Sequence, residues 1–180
     1  MTFTIPACLF GLVQIGMALG VLCILPRHPN LWRHIPREQY IGSILGLICL
    51  IWSAYHGSAM LEGNLARLRV FLPLVVVVVV VVSFFLLDYL FSRALGGMLL
   101  LVMNFLLHEA FVQHVPLRPV FAAVCYVFCI AGILLIAVPY RFRDYLEKST
   151  KFPKWRIASS LAFMVGGLIA VLISVVHHAG

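Results

Sequence analysis

The chain has 180 residues, 63% of them hydrophobic and only 11% charged, with a mean hydropathy of +1.09. Soluble domains are about a quarter charged, so this composition excludes an ordinary water-soluble core. The net charge of +7 lies at the ends of apolar stretches, which points to lipid headgroups and topology and away from nucleic acid.

A membrane-crossing helix needs about 20 apolar residues. Six apolar segments follow one another, predicting spans at 3–25, 39–56, 68–87, 94–111, 117–139 and 156–176 in one transmembrane domain covering 1–180. The first span leads in without a basic n-region, so no cleavable signal is read. Pro26 and the polar Arg27-His28-Pro29-Asn30 turn stop it. The third holds eight consecutive valines, Val75 to Val82, between Pro73 and Asp88. In water such a run reads as a buried strand, but hydrocarbon forces backbone groups to pair within the segment, so a helix is expected. Between the fifth and sixth spans, Arg141 to Lys148 interleaves aromatic and charged residues, predicting a short amphipathic helix on the headgroups. The expected fold is all-α integral membrane, with six transmembrane helices arranged as three consecutive helical hairpins.

Lysines and arginines set the expected orientation. Ten lie in the first, third and fifth links (Arg27, Arg33, Arg37; Arg93; Arg141, Arg143, Lys148, Lys151, Lys154, Arg156), against three in the others (Arg67, Arg69, Arg118). The positive-inside rule then places both termini on the non-cytoplasmic side, and the expected location is a bacterial inner membrane, multi-pass. Most of the tryptophans and tyrosines sit near span ends, as belt residues do.

The second helix of each hairpin carries polar and small residues at helical spacing: Gln39, Ser43, Gly46; Arg93, Gly97, Asn104; Arg156, Ser160, Gly167. Offsets of four, seven and eleven share one face, which is expected to turn inward. Gly16 with Gly20, and Gly42 with Gly46, are small-xxx-small pairs that mark close helix contacts in lipid. Gly16, Gly20, Gly42, Gly46, Gly97 and Asn104 are therefore the expected helix-packing residues.

Chemistry is marked mainly by what is missing. No Asp, Glu, Lys or Arg lies near the middle of a span, which argues against a proton- or sodium-coupled pump. No Gly-x-Ser-x-Gly, His-Glu-x-x-His or phosphate-cradling loop is present, and no catalytic residue is expected. His56 and His108 fall at similar depth on two spans, and Asn104 stands four before His108, so the pair is the one candidate for haem ligation. Cys125 and Cys129 share a helical face and read as small packing residues, and no resident metal or cofactor is expected.

These features point first to a non-catalytic membrane subunit that packs within a larger membrane protein complex, with lipid, quinone or pigment in its grooves. Its expected partners are membrane lipids and other membrane subunits, with cytoplasmic docking through Arg141, Arg143 and Lys154. The alternatives are a small transporter or channel for a weakly polar solute, with Gln14, Ser53 and Asn104 lining its path, and a haem-binding electron carrier using His56 and His108. In size and span count the chain resembles the substrate-binding components of energy-coupling-factor transporters. Those proteins generally keep both termini in the cytoplasm, the reverse of the orientation read here, and no residue role is carried over from them.

Overall fold

The computed structural model describes residues 3–27, 39–60, 70–86 and 90–179. Within them the chain forms seven helices and no strand: α1 Thr4–Cys23, α2 Gln39–Met60, α3 Leu72–Leu86, α4 Leu90–Val112, α5 Arg118–Ala137, α6 Tyr140–Lys151 and α7 Pro153–Ala179. Arg33, Arg37, Arg67 and Arg69, which enter the charge tally, lie outside the described residues.

Five helices (α1, α2, α4, α5 and α7) are long and apolar enough to cross a membrane, consistent with an integral, multi-pass protein. Large apolar side chains stay exposed along them, such as Leu12, Ile51, Val127 and Leu168. In water such patches invite aggregation, whereas in lipid they are the solvent-facing surface. The valine-rich α3 is helical as expected, but its 15 described residues reach only about 22 Å at 1.5 Å each, short of a ~30 Å hydrocarbon core. The expected segment 68–87 extends beyond it into residues outside the described part.

Local chemistry sets the breaks. Pro6 falls in the first turn of α1, where no backbone donor is needed. Phe152 precedes Pro153, and ring sterics hold it extended at φ −114°, ψ 110°, which separates α6 from α7. Helix α7 therefore begins at Pro153, three residues before its expected start. Helix α4 ends in a Schellman turn. His114 takes the left-handed conformation at φ 48°, and its N–H donates to the Phe111 carbonyl at 3.4 Å. The Val115 N–H donates to the Ala110 carbonyl at 3.2 Å, and Val115 itself is buried.

The spans alternate in direction. Tyr40 at the start of α2 meets Phe84 at the end of α3, whereas Gly42 and Gly46 of α2 lie beside Phe91 and Ala94 of α4, so α2 and α4 are parallel. Helix α2 packs on α3 and α4, and α4 on α5. The expected hairpin of α1 with α2 does not form the main contact. Helix α1 packs most extensively on α7, so the first and last helices pair. The reason is a row of small residues: Ala7, Gly11 and Ala18 on α1 face Ser160, Gly167 and Ala170 on α7, and all are buried.

The buried core gathers at one end, where α1 and α5 begin and α4 and α7 finish. It holds Phe3, Ala7, Met103, Leu106, Ala110, Val115, Phe121, Cys125, Ala170 and Ile173. Phe3 meets Phe121 edge-on at 5.3 Å and the His177 ring at 5.7 Å, so the two ends of the described chain close on each other. Helix α6 lies at the opposite end and turns Leu146 and Ser149 inward.

Candidate functional site

Close contacts between helices in lipid require backbones to approach, and the glycines show where they do. A Cβ placed on Gly11 would come within 2.8 Å of the Gly167 carbonyl oxygen and 2.7 Å of Val171 Cγ2. On Gly96 it would lie 2.6 Å from the Gly132 carbonyl oxygen, and on Gly42 2.6 Å from the Phe91 nitrogen. Ser160 Oγ donates to the Ala18 carbonyl at 3.0 Å, and Ser174 Oγ to the Thr4 carbonyl at 2.7 Å, which ties α7 to α1 at both ends of their contact.

The expected packing residues divide. Gly42 touches α4 closely, and Gly46 lies against the Ala94 side chain with 3.8 Å left for a Cβ. Gly16 and Gly97 have open space around them, and Gly20 meets only the tip of Ile24 on its own helix. Asn104 is exposed. The physical reason is register. On α4 the buried row is Ser92, Gly96, Met103, Leu106 and Ala110, and Gly97 and Asn104 each follow a member of it by one residue, about 100° round the helix. On α1 the buried row is Ala7, Gly11, Gln14 and Ala18, and Gly16 and Gly20 fall on roughly the opposite side. Spacing of four residues identified small-residue pairs, but the contacts between helices are made by single glycines set among alanines and serines. Gly11, Gly96 and Gly132 were missed for that reason. The Ala7, Gly11, Ala18 spacing was the available signal.

Asn104 is the polar group that this arrangement leaves outward. It lies about three residues past the middle of the 23-residue α4, inside the depth that hydrocarbon occupies. Arg93, Gly97, Asn104 and His108 form one stripe, with Arg93 partly buried and Asn104 and His108 exposed. The Arg93 Nε atom is buried without a hydrogen-bond partner.

Gln14 is a carboxamide turned inward. It is 2% exposed, and neither its Oε1 nor its Nε2 has a partner. Its carboxamide lies over Gly166, where a Cβ would come within 2.7 Å of Oε1 and 3.7 Å of Phe128 Cε2. Gln14 is thus buried between helices, while Ser53 and Asn104 are exposed, so the three do not line one path.

His56 and His108 are both exposed. The His56 ring has Tyr55 at 5.6 Å and Trp52 at 6.3 Å, and Trp52 in turn meets Phe105 of α4 at 6.3 Å. Another histidine carries the polar network at the end of the bundle. Gln113 Nε2 donates to Glu109 Oε2 at 2.6 Å, and the Gln113 Oε1 lies 3.3 Å from His177 Nε2, linking α4 to α7. Among the described residues no group of three or more His, Cys, Asp or Glu side chains gathers as a metal site would require.

At the opposite end, Arg141 and Lys154 are exposed, and Arg143 pairs with Asp144 at 3.2 Å. Lys151 pairs with Glu147 at 2.5 Å, and the Lys148 ammonium stands 6.0 Å above the Trp155 ring. With both acids of α6 matched, this end presents net positive charge beside exposed Tyr140, Phe152 and Trp155.

Comparison with protein-family models, with curated proteins and with solved structures finds no match.

Proposed function

We propose that this chain is a non-catalytic integral membrane subunit that packs within a larger membrane protein complex. The observation that carries the reading is Asn104. A carboxamide exposed at that depth finds no hydrogen-bond partner in lipid tails, whereas a neighbouring transmembrane helix can supply one. Gly97, about two turns before it on the same face, has open space into which such a helix can settle. Gly16 and Gly20 on the outward side of α1 extend the same logic to a second edge of the bundle. In this reading six helices cross a bacterial inner membrane, with both termini outside. The basic end formed by Arg141, Arg143 and Lys154 then meets cytoplasmic partners and anionic headgroups.

Native mass spectrometry of untagged protein, extracted gently from its own membrane, tests this. Co-migration with other membrane subunits at fixed stoichiometry is the expected result, and a lone monomer overturns the reading. Gly97→Leu and Asn104→Leu should insert and fold as the parent does but lose those partners. Unchanged assembly of both variants would remove α4 from the interface.

A further inference from the structure

Gln14 is the eleventh of the 20 residues of α1 and therefore lies at mid-depth in the hydrocarbon. The association of α1 with α7 does not need it. Gly11 and Gly167 already bring the backbones together, and Ser160 and Ser174 already supply hydrogen bonds across the pair. A leucine would fill the same space with no polar atoms to satisfy. The retained carboxamide is 2% exposed and unpartnered at both ends, which in an apolar interior is a standing cost unless something binds it.

The surroundings limit what that partner is. The carboxamide lies over Gly166, whose missing side chain leaves the room it occupies, and Phe128 of α5 closes the same gap. Phe10 meets Phe128 edge-on at 5.5 Å, and Phe128 meets Phe163 at 6.1 Å with the rings tilted by 36°. Here α5 meets α1 and α7 through rings, which turn about their side-chain bonds. No Asp, Glu, Lys or Arg lies within this stretch of α1, α5 or α7, so the partner is neutral. A primary amide donates to a carbonyl and accepts from a hydroxyl, so it serves a ring carrying either group. Flanking phenylalanines add edge and face contacts to a planar ring.

We propose that Gln14 is the polar contact of a neutral, ring-bearing lipid of the quinone class, held in the aromatic seam between α5 and the α1–α7 pair. Its carbonyl accepts from Gln14 Nε2, or its hydroxyl in the reduced form donates to Oε1. The site binds, and no electron transfer by this chain is involved.

The test uses the full chain in lipid nanodiscs with a decyl-substituted benzoquinone as the probe. Retention after isolation should saturate near one per chain, and the bound carbonyl stretch should fall in frequency as the amide donates to it. Gln14→Leu should weaken retention by about tenfold or more and abolish the shift, while its thermal midpoint without probe is unchanged or higher. Gly166→Ala, which crowds the amide and leaves Gln14 in place, should weaken retention by several-fold. Equal retention in the parent and Gln14→Leu, or none that saturates, overturns the proposal and leaves the carboxamide to bound water. What covers Asn104 does not enter this experiment, so failure here leaves the subunit reading standing.

Discussion

Two kinds of helix contact hold this protein together, and they differ in what they tolerate. Where α1 meets α7 and α4 meets α5, backbone lies against backbone: Gly11 faces the Gly167 carbonyl, and Gly96 faces that of Gly132. Where α5 faces the α1–α7 pair, the gap is filled by Phe10, Phe128 and Phe163, with ring centroids 5.5 and 6.1 Å apart. Lipid tails are as apolar as side chains, so burial itself drives neither contact. Both rest on packing, and only the first has no slack. A glycine contact has nothing to move aside when an atom is added, whereas an aromatic contact repacks.

The comparison can be broken most severely at Gly11. Gly11→Leu should force α1 off α7 and lower unfolding stability in detergent or nanodiscs by about 3 kcal/mol or more. A midpoint equal to the parent's would show that the pair does not depend on backbone contact. Neighbouring glycines on α4 give a sharper contrast. Gly96→Ala meets the Gly132 carbonyl and should cost about 2 kcal/mol, whereas Gly97→Ala meets nothing and should leave the isolated chain unchanged or about 0.5 kcal/mol more stable. Equal effects at the two positions would contradict the register of the α4–α5 contact. In the aromatic seam, Phe128→Leu should cost only about 1 kcal/mol, because neighbouring rings take up the volume. A loss as large as that of Gly11→Leu would erase the distinction drawn above. The smallest of the expected losses belongs to Ser160→Ala, which removes one hydrogen bond to the Ala18 carbonyl and should cost about 0.6 kcal/mol by thermal unfolding.

Individual elements show what was legible beforehand. The spans predicted at 3–25, 39–56, 94–111, 117–139 and 156–176 each correspond to a long apolar helix, with ends displaced by a few residues. The displacement at α7 traces to Pro153, which starts a helix readily and fixes Phe152 before it. The amphipathic segment after Pro139 is the helix α6, whose Phe142, Tyr145 and Leu146 recur at helical spacing of three and four residues. The inward faces were legible only in part. Ser160 and Gly167 are buried as expected, while Gly97 is open and Asn104 exposed. A shift of one residue turns a helix by about 100°, and no property of the sequence resolves a face to that accuracy when apolar residues surround it on every side. Gln14 was visible as a polar residue within a span, but its burial against Gly166 depends on a helix more than 140 residues away in the chain.

Composition and spacing by themselves determined that this chain is helical and suited to lipid, where its helices lie, and that its charge collects at their ends. Those properties follow from the solvent, since hydrocarbon obliges each segment to pair its own backbone groups whatever its neighbours are. Only the tertiary structure decided that the first helix pairs with the last, that Gly11 and Gly96 rather than Gly16 and Gly97 make the close contacts, and that one carboxamide is sealed inside while another faces out. Hydropathy is nearly uniform around each membrane-length helix and so carries no information about which face meets which. That choice is made by the fit of small residues against a particular backbone, which exists only once the helices are assembled.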